Sequence, residues 1–341
     1  MNNKKIDLLE FISDKVKCGR KEKEYPLHVT NDNVYITFSY FVYMNNNAKR
    51  EHSLIIPRYV SWNNETFEVL GLLQAEMGKT NNGCIVFCNH EYRLINMVMK
   101  WFEREFELMQ NEWRWYIKVN INEPQDENYK KEIENKVVNH WLNKTKINPT
   151  KNYPKTVSYI KNTENKRLKF YDYGTLIIEH KSNLFSQIVK RYVKMMSERM
   201  PKLGVNEIRG FMCGIIAGES NVEVYMPDKR YRIYISAVKK EELELYHVCL
   251  SILGICSKQY QNDKIIVSKR ENNVKLLKQR LMCLSHEKYS KFLNMMKLYP
   301  NISEETGYFS AAKEVWNKIP QEKVNYILDL YKSGIKPKDI V

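Results

Sequence analysis

The sequence predicts an α+β fold of two pseudo-symmetric halves meeting through like helices, followed by a short helical C-terminal extension. Three observations carry this. VLGLLQAEMG at 69–78 and MCGIIAGESN at 212–221 align position by position: Gly71 on Gly214, Leu72 on Ile215, Leu73 on Ile216, Ala75 on Gly218 and Glu76 on Glu219. Each copy runs into an extended β-branched segment, CIVFCN at 84–89 and NVEVYM at 221–226. Helical and extended periodicities then alternate along both halves. A chain of 341 residues, 43% of them hydrophobic, is long enough to fill two cores.

The first half, 25–199, opens on the aromatic and β-branched run NVYITFSYFVY at 33–43. The polar turn MNNNAKRE and a second extended run, SLIIPRYV, make this a hairpin. SWNNETFEV supplies an Asn or Thr able to cap the first motif helix. After its acid come the break GKTNNG, the strand at 84–89 and a helix EYRLINMVMKWFEREFEL with apolar residues at three- and four-residue spacing. WRWYIKVNIN at 113–122 alternates as a strand, Trp113, Trp115, Ile117 and Val119 on one face and Arg114, Tyr116, Lys118 and Asn120 on the other. A helix over 126–144, a Pro-punctuated connection at 147–155, a β region at 156–180 broken by NTENK and the helix SNLFSQIVKRYVKMMSERM complete this half.

MPKLGVNE at 200–207 reads as the linker, and the second half, 200–300, is more compact. Its order is motif helix, strand, turn PDKR, strand YRIYISA, helix at 241–255, hairpin around QND and helices to about 298. Two further helical stretches fill 301–341; the last resembles the opening of a helix-turn-helix with Gly334 at the turn, too short for a full recognition helix.

Within each motif the small residues, Gly71 with Ala75 and Gly214 with Gly218, lie four apart and share one helix face. Two such faces can approach backbone to backbone, which brings Glu76 beside Glu219. Adjacent carboxylates at helix C-termini repel each other and the helix dipole unless a cation lies between them, and hard oxygen ligands suit magnesium.

The paired motif resembles that of the LAGLIDADG homing endonucleases, whose members share an αββαββα domain and keep a metal ligand where this chain has Glu76 and Glu219. The first half looks like a decorated version of that domain. The resemblance implies a site-specific double-stranded DNA endonuclease, a single-chain monomer that hydrolyses one phosphodiester per strand with Mg2+. It departs from the family at Met77 and Ser220, where Gly usually follows the acid, and at Gln74 and Ala217, where Asp is common. The family also uses a basic residue per half near the start of a late helix. Lys288 falls at the matching place in the second half, and in the first half Lys190 is the candidate, with Lys181 behind it.

Alternation aligns Asn221, Glu223 and Tyr225 on one face of a strand and Arg230, Arg232, Tyr234 and Ser236 on one face of its partner. A two-stranded ribbon of this kind fits a DNA major groove, where Arg reads guanine and Asn reads adenine. Arg114, Tyr116, Lys118 and Asn120 offer a matching row in the first half, and Lys49 and Arg50 sit at a hairpin tip suited to phosphate. The 55 Lys and Arg against 40 Asp and Glu give +15, consistent with a polyanionic partner or with an AT-rich genome's codon usage.

A non-catalytic binder on the same fold, either an intron RNA maturase or a DNA-binding regulator, is the alternative, although a binder gains nothing from adjacent charges. Apolar runs fall well short of the roughly 20 residues a bilayer span needs, which predicts a protein without a membrane partner, soluble in the cell or an organelle. Seven scattered cysteines, without a CxxC pair, support neither a disulfide framework nor a zinc site; Cys84, Cys88 and His90 come nearest, and alternation in GCIVFCNH reads as a strand instead.

Overall fold

The computed structural model describes residues 4–18, 23–43, 49–78, 83–121, 127–161, 173–227, 229–260 and 263–303. The helical stretches expected beyond 303, the turn at NTENK and the hairpin tip at 44–48 lie outside these residues.

Packed structure begins well before residue 25. Strand β1 (Lys5–Asp7) leads through a 3-10 turn to β2 (Lys15–Cys18), which pairs antiparallel with β3 (Lys23–Pro26). Leu8, Phe11 and Val16 on this stretch are fully buried. The hairpin expected from the aromatic run is β5 (Tyr35–Tyr43) with β6 (Lys49–Pro57), and β4 (His28–Asn31) adds a third strand. A short β7 (Tyr59–Ser61) returns to pair with β1. Alternation sets which side is core: Ile36, Phe38 and Tyr40 are buried.

Helix α1 (Asn64–Glu76) starts at Asn63, whose side chain accepts from the Thr66 N–H. Its C-terminal end turns directly into a bridge that leads to β8 (Cys84–Asn89): the Gly78 N–H donates to Val86 O at 2.9 Å. Helix α2 (Tyr92–Phe106) follows, its apolar stripe of Ile95, Val98, Met99 and Phe102 in the core. Then come β9 (Arg114–Ile121), α3 (Glu127–Lys144), β10 (Asn152–Lys161), β11 (Thr175–Lys181) and α4 (Asn183–Arg199). Trp113, Trp115, Ile117 and Val119 are buried as the alternation predicts.

Helix α5 (Val205–Glu219) is separated from α4 only by a 3-10 turn containing Pro201 and by Gly204 at its N-cap, so the linker is almost absorbed into helix. The second half continues as β12 (Ser220–Tyr225), β13 (Arg230–Ser236), α6 (Lys240–Ile252), β14 (Lys258–Tyr260), β15 (Lys264–Val267), α7 (Arg270–Lys278) and α8 (His286–Met296).

The second half forms an antiparallel sheet in the order β12-β13-β15-β14, as its element order suggests. Four strands also form the first half's sheet, but in the order β10-β9-β11-β8. Here α2 separates β8 from β9, so those two strands do not pair, and the α3 crossover sets β10 parallel to β9. The connection expected over 147–155 is shorter than its prolines suggest, because β10 begins at Asn152.

Helices α1 and α5 pack along the small-residue faces. A Cβ on Gly71 would lie 2.0 Å from Phe211 O, and one on Gly214 would lie 2.1 Å from Glu68 O. Only glycine permits such an approach, because each missing side chain is replaced by the partner's backbone. The larger motif residues Leu70, Leu72, Leu73, Met212, Ile215 and Ile216 are buried at 0–1% exposure in the flanking cores. At the start of the pair Trp62 Nε1 donates to Glu207 Oε1 at 2.7 Å, a polar tie between the halves.

Candidate functional site

The glycine seam runs to the C-terminal ends of α1 and α5 and brings the two acids together. A Cβ on Gly218 would lie 2.5 Å from Ala75 Cβ, 3.1 Å from Glu76 Cγ and 3.6 Å from Glu76 Oε1. Glu76 and Glu219 are both half-buried. Burial, followed by the charge of Glu219, lifts the Glu76 carboxyl from 4.5 to about 7, against a smaller pull downward from Lys288. The pair therefore meets as like charges in a partly dehydrated place.

Lys288 lies in the first turn of α8 and reaches back to the end of α5. Its Nζ donates to Ala217 O and Gly218 O, each at 2.6 Å, and lies 3.4 Å from Ile216 O. Ala217 O and Gly218 O belong to the terminal turn, whose carbonyls lack helical partners, and a cation there also complements the helix dipole. The lysine thus stands behind Glu219 and within electrostatic reach of Glu76.

Lys190 is elsewhere. It sits on α4 beside the Cys84 thiol, and burial lowers the pKa of its ammonium. Lys181, at the end of β11, pairs in register with Cys84. In the first half Cys88 stands between an acid and a cation: its thiol, pushed up to about 11 by burial and by Glu76, feels Lys118 in the opposite sense. Alternation had put Lys118 on the ligand face.

Other neighbours of the acids were not legible in the motif. Tyr246 of α6 is buried beside Glu219, and burial with Glu242 and Glu219 pushes its phenol upward. Gln74 spans the seam, donating to Glu242 Oε1 at 3.2 Å and accepting from Ser197 Oγ at 3.1 Å. Polarity at this motif position is the signal that could have pointed to the network.

Lys288 is itself held by the first half. Glu91, at the N-cap of α2, accepts from Ser285 Oγ with one carboxylate oxygen and from the His286 N–H at 2.8 Å with the other. His90 Nε2 meets Glu287 Oε2 at 2.7 Å. His90, Glu91 and Glu287 are close enough together to hold a metal. Their lone pairs, however, are turned on one another and on the start of α8, so the cluster reads as a clasp that caps a helix from across the seam. The nearest zinc candidates from the sequence, Cys84 and Cys88, belong to β8 as the alternation predicted.

The sheet rows fall as expected. Register pairs Asn221 with Tyr234, Glu223 with Arg232 and Tyr225 with Arg230, setting all six on one face, with Ser236 further along β13. Arg230 stacks over Tyr225 at 5.0 Å. Glu223 is engaged within the row: Tyr234 Oη donates to its Oε2 at 2.7 Å, and Arg232 donates to Tyr234 Oη at 3.3 Å. In the first half Arg114 lies opposite Glu179, Tyr116 opposite Ile177 and Lys118 opposite Thr175, with Asn120 farther along β9 opposite Ile160. Lys49 and Arg50 are exposed at the start of β6, Lys49 Nζ lying 3.6 Å from the centre of the Phe41 ring. No helix among the described residues is long and apolar enough to cross a membrane.

No protein-family model matches the sequence, and no curated protein matches it. Solved structures do. The crystal structure of I-DmoI in complex with DNA and Mn is 13% identical, over 64% of this chain and 97% of that one, with a TM-score of 0.35. I-DmoI in complex with DNA and Ca is 14% identical, over 67% and 96%, with a TM-score of 0.36. Full-length DUF199/WhiA from Thermatoga maritima is 14% identical, over 73% of this chain and 66% of that one, with a TM-score of 0.35. Likeness at this level stands beside the geometry of Glu76 and Glu219 without carrying it. The chain is similar to a single-chain, two-domain LAGLIDADG homing endonuclease and to the LAGLIDADG protein WhiA.

Proposed function

We propose that this protein is a divalent-metal-dependent DNA endonuclease of the LAGLIDADG homing type, a monomer that hydrolyses one phosphodiester on each strand of a specific duplex. The observation that supports this best is the like-charge pair at the seam, where Glu219 and burial raise the Glu76 carboxyl to about 7. A fold gains no stability from that pair by itself, whereas a cation between the two acids turns repulsion into ligation. Two carboxylates at the open end of a helix seam are the hard oxygen donors that magnesium prefers, and Glu76 and Glu219 are the residues that would hold it. When bound, such an ion supplies an activated water and charge stabilisation at the phosphate.

The chain's own groups do the rest. Lys288, held by the last carbonyls of α5, keeps a fixed positive charge beside both acids, suited to a phosphate oxygen. Lys118 brings a second cation to the first-half side, on the face of Cys88. The two sheet rows would hold the duplex, with Arg230, Arg232 and Asn221 in the second half and Arg114, Tyr116, Lys118 and Asn120 in the first able to meet base edges and phosphates.

Glu219→Gln is the test: it removes one ligand charge while keeping shape, so cleavage of a randomised duplex library with magnesium should vanish while duplex affinity stays within a few fold. Undiminished cutting would remove the two acids from the reaction.

A second reading, a non-catalytic binder such as an intron RNA maturase or a DNA-binding regulator, draws support from Lys288, whose ammonium is already shared among carbonyls as a structural cap would be. That reading expects no cut ends from the parent protein. Its maturase form also expects a structured RNA to outcompete duplex DNA at matched salt.

A further inference from the structure

Between the N-terminal β-layer and α4 lies a cleft of about 1350 Å³, lined by neither of the paired acids. Its walls carry Lys15, Lys17, Lys181, Lys190, Arg191 and Lys194. Among the described residues two carboxylates, Glu24 and Glu179, face them, and Glu24 is engaged by Lys15 at 3.4 Å. The cleft is therefore strongly electropositive, and its concave shape concentrates that field.

Two features of the fold make it a built groove. The first is rigidity at its floor: Gln187 accepts from the Lys17 N–H at 3.1 Å, and Asn183 and Gln187 both donate to Lys17 O. These bonds clamp β2 onto α4, so Lys17, Arg191 and Lys194 stand on anchored backbone. The second is continuity. Strand register puts Glu179 opposite Arg114 across β9 and β11, and alternation along β11 puts Lys181 on the same sheet face. Tyr116 and Lys118 share that face. The cleft thus opens from the edge of the row assigned above to the duplex.

We propose that this groove is a second nucleic-acid contact, seating the phosphate backbone of the same DNA where it runs beyond the first-half sheet toward the N-terminal β-layer. The inference rests on the duplex reading of the sheet faces and not on catalysis. Its occupant is a phosphodiester chain because Lys15, Lys17, Lys181, Lys190, Arg191 and Lys194 outnumber the carboxylates Glu24 and Glu179 along it, and long cations position backbone without reading sequence.

The test compares salt dependence of binding to a random-sequence duplex for the parent, for the triple variant Lys17→Gln, Arg191→Gln and Lys194→Gln, and for a charge-matched control with Lys240, Lys269 and Lys297 changed to Gln. All six residues are exposed, so both triples should keep the parent's unfolding midpoint. Each phosphate contact adds about 0.9 to the salt slope, so losing three lowers it by about 2.7. Between 50 and 200 mM salt the parent should then lose about 40-fold more affinity than the groove variant. The control should stay near the parent. Equal slopes for the two triples, an unchanged slope in the groove variant, or no duplex binding by the parent would each overturn the proposal. A parent that binds with a groove-dependent slope yet never cuts would leave the groove standing while removing the nuclease.

Discussion

Removing the charge of Glu76 tests the seam most directly. In the folded protein its carboxyl holds a proton up to about pH 7, whereas in the unfolded chain it returns to about 4.5. Between those values the native state binds more protons than the unfolded state, so this group's contribution makes stability fall as pH rises from 4.5 to 7 and level off above. The span between the two values, at about 1.4 kcal/mol per pH unit, bounds the penalty at about 3.5 kcal/mol. Solvent at the open side of the half-buried pair reduces this to about 1–2 kcal/mol. Glu76→Gln removes the titration while keeping the side chain's volume. Urea unfolding of parent and variant at pH 4.5 and pH 8, without divalent cations, should show the variant gaining about 1–2 kcal/mol over the parent at the higher pH. Millimolar magnesium at pH 8 should stabilise the parent and leave the variant nearly unmoved. Parallel pH profiles for the two proteins, or a parent indifferent to magnesium, would refute the view that two acids repel each other across this seam and await a cation.

Other expectations are narrower. Gly214→Ala sets a methyl 2.1 Å from Glu68 O and 2.6 Å from Leu72 N, so α1 and α5 must separate; a loss of more than about 3 kcal/mol in urea unfolding is expected. Glu91→Ala strips the cross-seam cap from Ser285 and His286 and should cost about 1–2 kcal/mol, with the cutting rate falling while duplex affinity holds, because Lys288 loses its support. Arg230→Ala should relax base preference at one position of the cut site by about 1–3 kcal/mol, read from the sequences of library cut ends.

What could be read from residues alone follows the range of the interactions involved. The motif helices were legible because Gly71, Ala75, Gly214 and Gly218 lie at a spacing that only a helix turns into a face, and an acid closes each copy. Strand β9 was legible because buried Trp115, Ile117 and Val119 alternate with polar residues along it. By contrast, β1 to β3 are three or four residues long and rich in lysine and glutamate, with Val16 the one fully buried residue of β2, so no periodicity announces them. The parallel pairing of β10 with β9 depends on where α3 docks, which no local pattern encodes. The clasp on α8 joins residues 194 and 195 positions apart, and neither Glu91 nor Ser285 has a sequence neighbour that hints at the other. For the same reason Lys190, chosen by resemblance of its segment, turns up beside Cys84.

The two halves are unequal in a way that explains why they belong to one chain. The end of α5 is closed by a lysine from its own half, but that lysine's helix is started by Glu91 and steadied by His90 from the other half. Both helices share a backbone cap, Met77 N–H to Leu73 O in α1 and Ser220 N–H to Ile216 O in α5; in α1 the Gly78 N–H then bonds Val86 O as the chain passes into β8. Beyond it stand Cys88 and Lys118. Two acids that match in sequence thus have different surroundings: Glu219 ends a helix whose last carbonyls hold Lys288, while Glu76 ends a helix that passes straight into β8 beside Cys88. If each acid served only its own half, either half could be decorated freely without consequence for the other. Here the insertion of α2 between β8 and β9 is itself what supplies Glu91, so the departure of the first half from the second half's strand order is part of how the second half's lysine is held.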